Sequence, residues 1–163
     1  MWLVRKLLAV VVGFMLALVI QTALINRWFP GVHPDMMLSM VTIVGLIGGP
    51  WTGAFAGIAG GLLVDLLGGR LLGLGALSFC ATGALAGWLG QGLFRENRVV
   101  PFLAGAVATI VYHVLFILGA LAFGVTIPLG ETLVRLLLPS ICYNGLLTGL
   151  LFPVVYKVKK RLD

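Results

Sequence analysis

The chain has 163 residues, of which 61% are hydrophobic and only 10% are charged, and its formal net charge is +6. A soluble domain carries about 25% charged residues, so this chain cannot cover a water-facing surface and is expected to lie in a lipid bilayer. Its length fits one compact helical bundle without a second soluble domain. The basic residues stand at the ends of apolar segments and form no patch, which argues against a nucleic-acid partner.

Six apolar segments are predicted to be membrane helices, because about 20 residues cross a hydrocarbon core of roughly 30 Å. The first lacks a small-residue cleavage site and is interpreted as an uncleaved anchor. The second and third are short, which predicts a locally thinned bilayer or a hairpin partly shielded by protein. A short interfacial helix is predicted over 131–138, before Pro139. The sequence thus indicates one all-α polytopic membrane domain, 1–163, with spans at about 7–25, 34–47, 50–67, 72–94, 99–123 and 140–156.

The basic residues also predict the orientation of the bundle. Six spans place both termini on one side, and that side collects eight Lys and Arg residues against three on the other. The positive-inside rule therefore predicts cytoplasmic termini. The basic run 157–161 at the cytoplasmic end is expected to hold anionic lipid headgroups.

Glycines recur every four residues along the third span, at Gly53, Gly57 and Gly61, and Asp65 continues the series. This spacing leaves a flat strip that another helix can approach closely. Four residues turn a helix by about 400°, so Asp65 is expected to face roughly 120° from Gly53 and to contact a different neighbour. We interpret the three glycines as a binding strip for a partner's transmembrane helix.

Polar positions at the outer face form a second predicted group. A carboxylate inside an apolar span is rare and usually functional, and Asp65 could form either a structural ion pair with Arg70 across the turn or a contact for a partner or ligand. Asp35 lies in the first turn of its helix, where a carboxylate complements the helix dipole. The whole predicted group is Pro34, Asp35, Asp65, Arg70 and Gly73.

No catalytic set, metal-ligand cluster or phosphate-binding loop is evident, so no enzymatic activity, metal or cofactor is predicted. His113 is predicted near mid-membrane. We interpret the His113 side chain as a hydrogen-bond partner of Tyr143 or Asn144 in the last span.

Five short patterns occur in a fixed order, and this order resembles the bacterial rod shape-determining protein MreD family over essentially the whole chain. The patterns are Gln21-Thr22-Ala23-Leu24, Pro34-Asp35-Met36-Met37-Leu38, Gly49-Pro50-Trp51-Thr52-Gly53, Gly61-Leu62-Leu63-Val64-Asp65-Leu66-Leu67 and Leu72-Gly73-Leu74-Gly75-Ala76-Leu77. The positions that match the family motif are Pro34, Asp35, Gly57, Gly61, Asp65 and Gly73.

The resemblance implies a non-enzymatic inner-membrane component of the elongation machinery, or elongasome, which builds the peptidoglycan of the lateral cell wall. The partners it implies are MreC, with MreB, RodA and a class B penicillin-binding protein acting indirectly. The fold it implies is similar to the S-components of energy-coupling-factor transporters, which are also six-helix bundles.

Two functions from different classes remain open at this point. The first is a scaffold of the rod complex, in which the strip of Gly53, Gly57 and Gly61 binds the transmembrane helix of MreC. The alternative is a small-molecule- or lipid-binding subunit of a transporter, with a pocket lined by Asp35, Asp65 and Arg70. Few aromatic or hydrogen-bonding side chains are available to recognise a polar vitamin, which disfavours the alternative.

Overall fold

The computed structural model describes residues 2–25, 34–68, 73–92, 99–126, 128, 130 and 132–162. Within these ranges the chain is helical and contains no strand, as predicted. The six α-helices are α1 (Trp2–Ile20), α2 (Met36–Gly48), α3 (Pro50–Gly68), α4 (Leu74–Gly92), α5 (Val99–Ala122) and α6 (Leu138–Leu162). A π-helical turn, Gln21–Ile25, extends α1, and a second π-helical segment, Thr132–Leu137, leads into α6.

Three helices of the described chain are long and apolar enough to cross a membrane: Pro50–Gly68, Val99–Ala122 and the continuous stretch Thr132–Arg161. Helix α2 has only 13 residues, which is about 20 Å at 1.5 Å per residue and falls short of a bilayer core of roughly 30 Å. The second helix is therefore short, as expected, whereas the third, expected to be short as well, has 19 residues and is a candidate span.

Helix α2 lies at the centre of the bundle and contacts each of the other five helices. Ten of its 13 residues are buried, as expected of a helix that is apolar all round. Phe14 of α1, Phe79 of α4 and Tyr112 of α5 pack around it, and the rings of Phe79 and Tyr112 lie 4.7 Å apart. Because protein surrounds α2, its short length requires no matching thickness of lipid.

The other five helices carry large apolar side chains on their outer faces. Exposed examples are Leu16 of α1, Phe55 of α3, Leu77 of α4, Leu118 of α5 and Leu150 of α6. In water such a surface would be unfavourable, whereas lipid tails solvate it without cost. This distribution fits a bundle surrounded by lipid.

The prediction of a separate interfacial helix over 131–138 is corrected by the structure. Residue 131 lies outside the described part, and Thr132–Leu137 continues directly into α6. Pro139 lacks an N–H group and its ring crowds the carbonyl four residues earlier. The wider π-helical segment immediately before it relieves this crowding, so the helix continues through the proline.

Candidate functional site

The three regularly spaced glycines of α3 are buried against α4 of the same chain. A Cβ atom at Gly53 would overlap the carbonyl of Gly83, and one at Gly57 would overlap the carbonyl of Phe79. A Cβ atom at Gly61 would overlap the backbone of Ala76. The prediction that a partner's helix binds this strip is therefore corrected, since α4 occupies it along its whole length.

Helix α4 contributes glycines of its own to this contact, which we call the glycine seam: Gly53, Gly57 and Gly61 of α3 with Gly83 and Gly87 of α4. A Cβ atom at Gly83 would overlap the carbonyl of Gly53, and one at Gly87 would overlap the backbone at Gly49. Neither side can accept a side chain without separating the helices. The seam thus lets α3 and α4 pack backbone to backbone.

Asp65 follows the glycine seam near the C-terminal end of α3. Its side chain is 1% exposed, and Oδ2 accepts hydrogen bonds from the backbone N–H groups of Gly73 (3.0 Å) and Ala76 (3.2 Å). Gly73 lies in the turn before α4 and Ala76 in its first turn. Backbone N–H groups at these positions have no acceptor within the helix. Asp65 is therefore a buried N-terminal cap of α4, contributed by the neighbouring helix.

The prediction that Asp65 contacts a different neighbour from the glycines is thus wrong. The row of every fourth residue winds slowly around α3, and α4 packs along this row, so it meets both the glycines and Asp65.

Arg70, the predicted partner of Asp65, lies outside the described residues. Among those residues Asp65 Oδ1 has no hydrogen-bond partner. A Cβ atom at Gly75 would overlap this oxygen, so the carboxylate requires a glycine there.

Asp35 lies one residue before the first turn of α2, whereas the sequence predicts it within that turn. It is the N-cap residue, and its Oδ1 accepts a 3.0 Å hydrogen bond from the backbone N–H of Leu38. Its own backbone N–H donates to Asn144 Oδ1 of α6 at 2.6 Å. Both carboxylates, Asp35 and Asp65, thus accept hydrogen bonds from backbone N–H groups at the starts of helices.

Asn144 joins three helices near the start of α2 and is 1% exposed. Besides accepting from the Asp35 N–H, it donates through Nδ2 to Thr109 Oγ1 of α5 at 3.1 Å. The Thr109 hydroxyl in turn donates to the carbonyl of Gly105 at 2.8 Å. Helices α2, α5 and α6 therefore share one buried chain of hydrogen bonds.

His113 does not make the predicted hydrogen bond to Tyr143 or Asn144. Its Nδ1 lies 2.8 Å from the carbonyl of Thr109, one turn earlier on its own helix. Its ring meets the ring of Tyr112 edge-on, with centroids 5.4 Å apart. The amide of Asn144 is engaged by Asp35 and Thr109 instead.

Lys159 makes a contact that the sequence analysis missed. Its Nζ donates to the carbonyl of Ile47 in the last turn of α2 at 3.2 Å, where a cation favourably meets unpaired carbonyls and the negative end of the helix dipole. Helix α6 thus binds α2 at both ends, through Asn144 and through Lys159. In the sequence, α2 ends at Gly48-Gly49, which have no side chain that could donate to its last carbonyls. This ending was the signal that a donor must come from another helix.

These contacts define an all-helical protein with three candidate membrane spans, whose glycines and buried polar groups hold its own helices together. Among the described residues no three His, Cys, Asp or Glu side chains are grouped as metal ligands. A family model described as rod shape-determining protein MreD matches residues 3–162. The chain therefore belongs to the MreD family, which supports a role in determining rod shape.

More distant similarity extends to the sensor histidine kinase/phosphatase LytS of Staphylococcus aureus, for example in strains Mu50, N315 and MW2. Each is 26% identical over 122 residues, covering 74% of this chain and 21% of LytS. The chain thus spans about a fifth of the length of these curated relatives. No solved structure matches, so the likeness to S-components of energy-coupling-factor transporters stays a prediction.

Proposed function

We propose that this chain is a non-enzymatic scaffold of the cell-wall elongation complex and binds the transmembrane helix of MreC within the inner membrane. The observation that carries the proposal is the MreD family match over residues 3–162. Both termini are proposed to lie in the cytoplasm. MreB, RodA and a class B penicillin-binding protein would then be reached indirectly, through MreC.

The packing of the bundle supports an interface on its outer faces. The glycine seam is filled by the chain's own helices, and Asp65 and Asn144 are buried in contacts between them. A single helix in the bilayer gains little from the hydrophobic effect and associates through close packing and polar contacts. MreC would therefore contact the exposed apolar side chains of the outer helices.

The transporter alternative gains no support. The carboxylates expected to line its pocket accept hydrogen bonds from backbone N–H groups at the starts of α2 and α4. They act as caps that fix helices, and the family match concerns rod shape.

Site-specific photo-crosslinking in cells tests the scaffold proposal. A photoreactive residue replaces one exposed side chain on each outer helix, in variants that still support rod shape, and Phe79 (0% exposed) serves as the buried control. We expect crosslinks to MreC from at least one outer face and none from position 79. Absence of an MreC crosslink from all five positions would contradict the proposal. The positions are Met15, Phe55, Leu77, Val114 and Leu150.

A further inference from the structure

The basic run at the end of α6 is divided by the structure into two parts with different surroundings. Lys159 is half-buried and donates to the carbonyl of Ile47. Lys157, Lys160 and Arg161 are exposed. Their spacing, i, i+3 and i+4, places these three cations on one face of the helix. A run that looks uniform in sequence therefore contains one structural lysine and one exposed triad of cations.

An exposed apolar row leads directly to this triad. Leu150, Val154 and Val158 follow each other at four-residue spacing and are exposed by 71%, 58% and 46%. Positions i, i+4, i+7, i+8 and i+11 share one helical face, so Lys157 and Arg161 extend the same row. The face thus presents about two turns of apolar surface followed by positive charge, in the order in which a phospholipid presents acyl chain and headgroup.

The charges at this end of the bundle favour an anionic ligand. The described carboxylates, Asp35 and Asp65, lie at the starts of α2 and α4, the opposite end from the last turn of α6. The sequence 157–163 carries four cations against one carboxylate, Asp163. Each Lys or Arg near an anionic membrane surface adds to the attraction for an anionic headgroup. The stacked rings of Phe152 and Tyr156, with centroids 5.8 Å apart, add the amphipathic aromatic group that is typical of the membrane interface.

We propose that the last turns of α6 bind an anionic glycerophospholipid, whose headgroup phosphate contacts Lys157, Lys160 and Arg161 and whose acyl chain lies along Leu150, Val154 and Val158. Lys159 takes no part in this site, because it is engaged with α2. The site includes Leu150, one of the positions probed for MreC above, but its test uses the purified chain alone and does not depend on MreC.

Native mass spectrometry of the purified full chain in detergent, with equal amounts of dioleoyl phosphatidylglycerol and dioleoyl phosphatidylcholine, tests this proposal. We expect bound phosphatidylglycerol to exceed phosphatidylcholine by about tenfold or more, given three cations. The triple variant Lys157→Gln, Lys160→Gln, Arg161→Gln should bring the ratio to about one. The matched control Lys159→Gln should leave it unchanged.

Two further measurements keep the outcome decisive. If the triple variant cannot be purified, Lys157→Gln and Arg161→Gln singly should each lower the ratio by roughly two- to fivefold, and an unchanged ratio in both overturns the proposal. Millimolar inorganic phosphate should not displace the bound lipid, because the acyl chain contributes to binding. Displacement by phosphate alone, or equal binding of both lipids to the unmodified chain, likewise overturns it.

Discussion

Asp65 is a carboxylate inside an apolar bundle, and its environment gives it a structural role. It joins the end of α3 to the start of α4 by accepting two backbone hydrogen bonds at 3.0 and 3.2 Å. A buried donor that loses its partner costs roughly 1–3 kcal/mol. The carboxylate therefore has more effect on the register of α3 against α4 than an exposed cap would have.

Replacing Asp65 with Ala leaves the N–H groups of Gly73 and Ala76 without an acceptor. We expect the free energy of unfolding in detergent to fall by about 2 kcal/mol, as measured by titration with a denaturing detergent. Asp65→Asn keeps an acceptor oxygen and should lose less. Equal stability of the Ala variant and the unmodified chain would show that Asp65 does not cap α4.

Asn144 is the residue that ties α6 to α2 and α5. Asn144→Leu conserves volume but leaves the Asp35 N–H without its 2.6 Å acceptor, so we expect a loss of about 1–2 kcal/mol. Thr109→Val removes only the hydroxyl that accepts from Asn144 Nδ2 and should cost less. A larger loss of stability from Thr109→Val than from Asn144→Leu would show that the hydrogen bond between Asp35 and Asn144 is not the main contribution.

At the scale of the element, α2 depends on α6 more than its short length suggests. Asn144 binds its first turn and Lys159 its last, so α2 and α6 run parallel. The predicted alternation of six spans would likewise have the second and sixth helices run in the same direction. The polar contacts at the two ends fix the depth of a helix that is too short to be positioned by lipid.

Lys159→Met retains the apolar stem of the lysine and removes the donor to the Ile47 carbonyl. We expect the unfolding free energy to fall by about 1 kcal/mol. Lys160→Met, on the exposed face, should change it by less than about 0.5 kcal/mol. Thermal unfolding of the two variants side by side provides the measurement. An equal effect of both substitutions would show that Lys159 does not stabilise the end of α2.

At the scale of the molecule, the helices were predictable and their neighbours were not. Lengths of apolar runs and the Gly-Pro break at residues 49–50 are local signals, and they locate α2 and α3 within one or two residues. Spacing of Gly53, Gly57 and Gly61 predicts a close helix contact, which the structure contains. The same pattern arises whether the second helix belongs to the chain or to a partner, so it could not identify that helix.

A better signal for that neighbour was present in α4. Gly83 and Gly87 repeat the four-residue spacing, and two such strips within one chain satisfy each other. Residues such as His113 and Asn144 were harder to assign, because a helical residue's partner depends on the rotation of its helix. Spacing along the chain does not determine that rotation.

We infer that the small residues of α3 hold this bundle together and do not bind the partner. Thermal unfolding of Gly57→Ala in the chain purified without MreC tests this inference, beside Ala59→Leu, which enlarges an exposed residue of the same helix. We expect Gly57→Ala to lower the free energy of unfolding by about 1–3 kcal/mol through overpacking, and Ala59→Leu to change it by less than about 0.5 kcal/mol. A Gly57→Ala chain of unchanged stability that no longer co-purifies with MreC would contradict it.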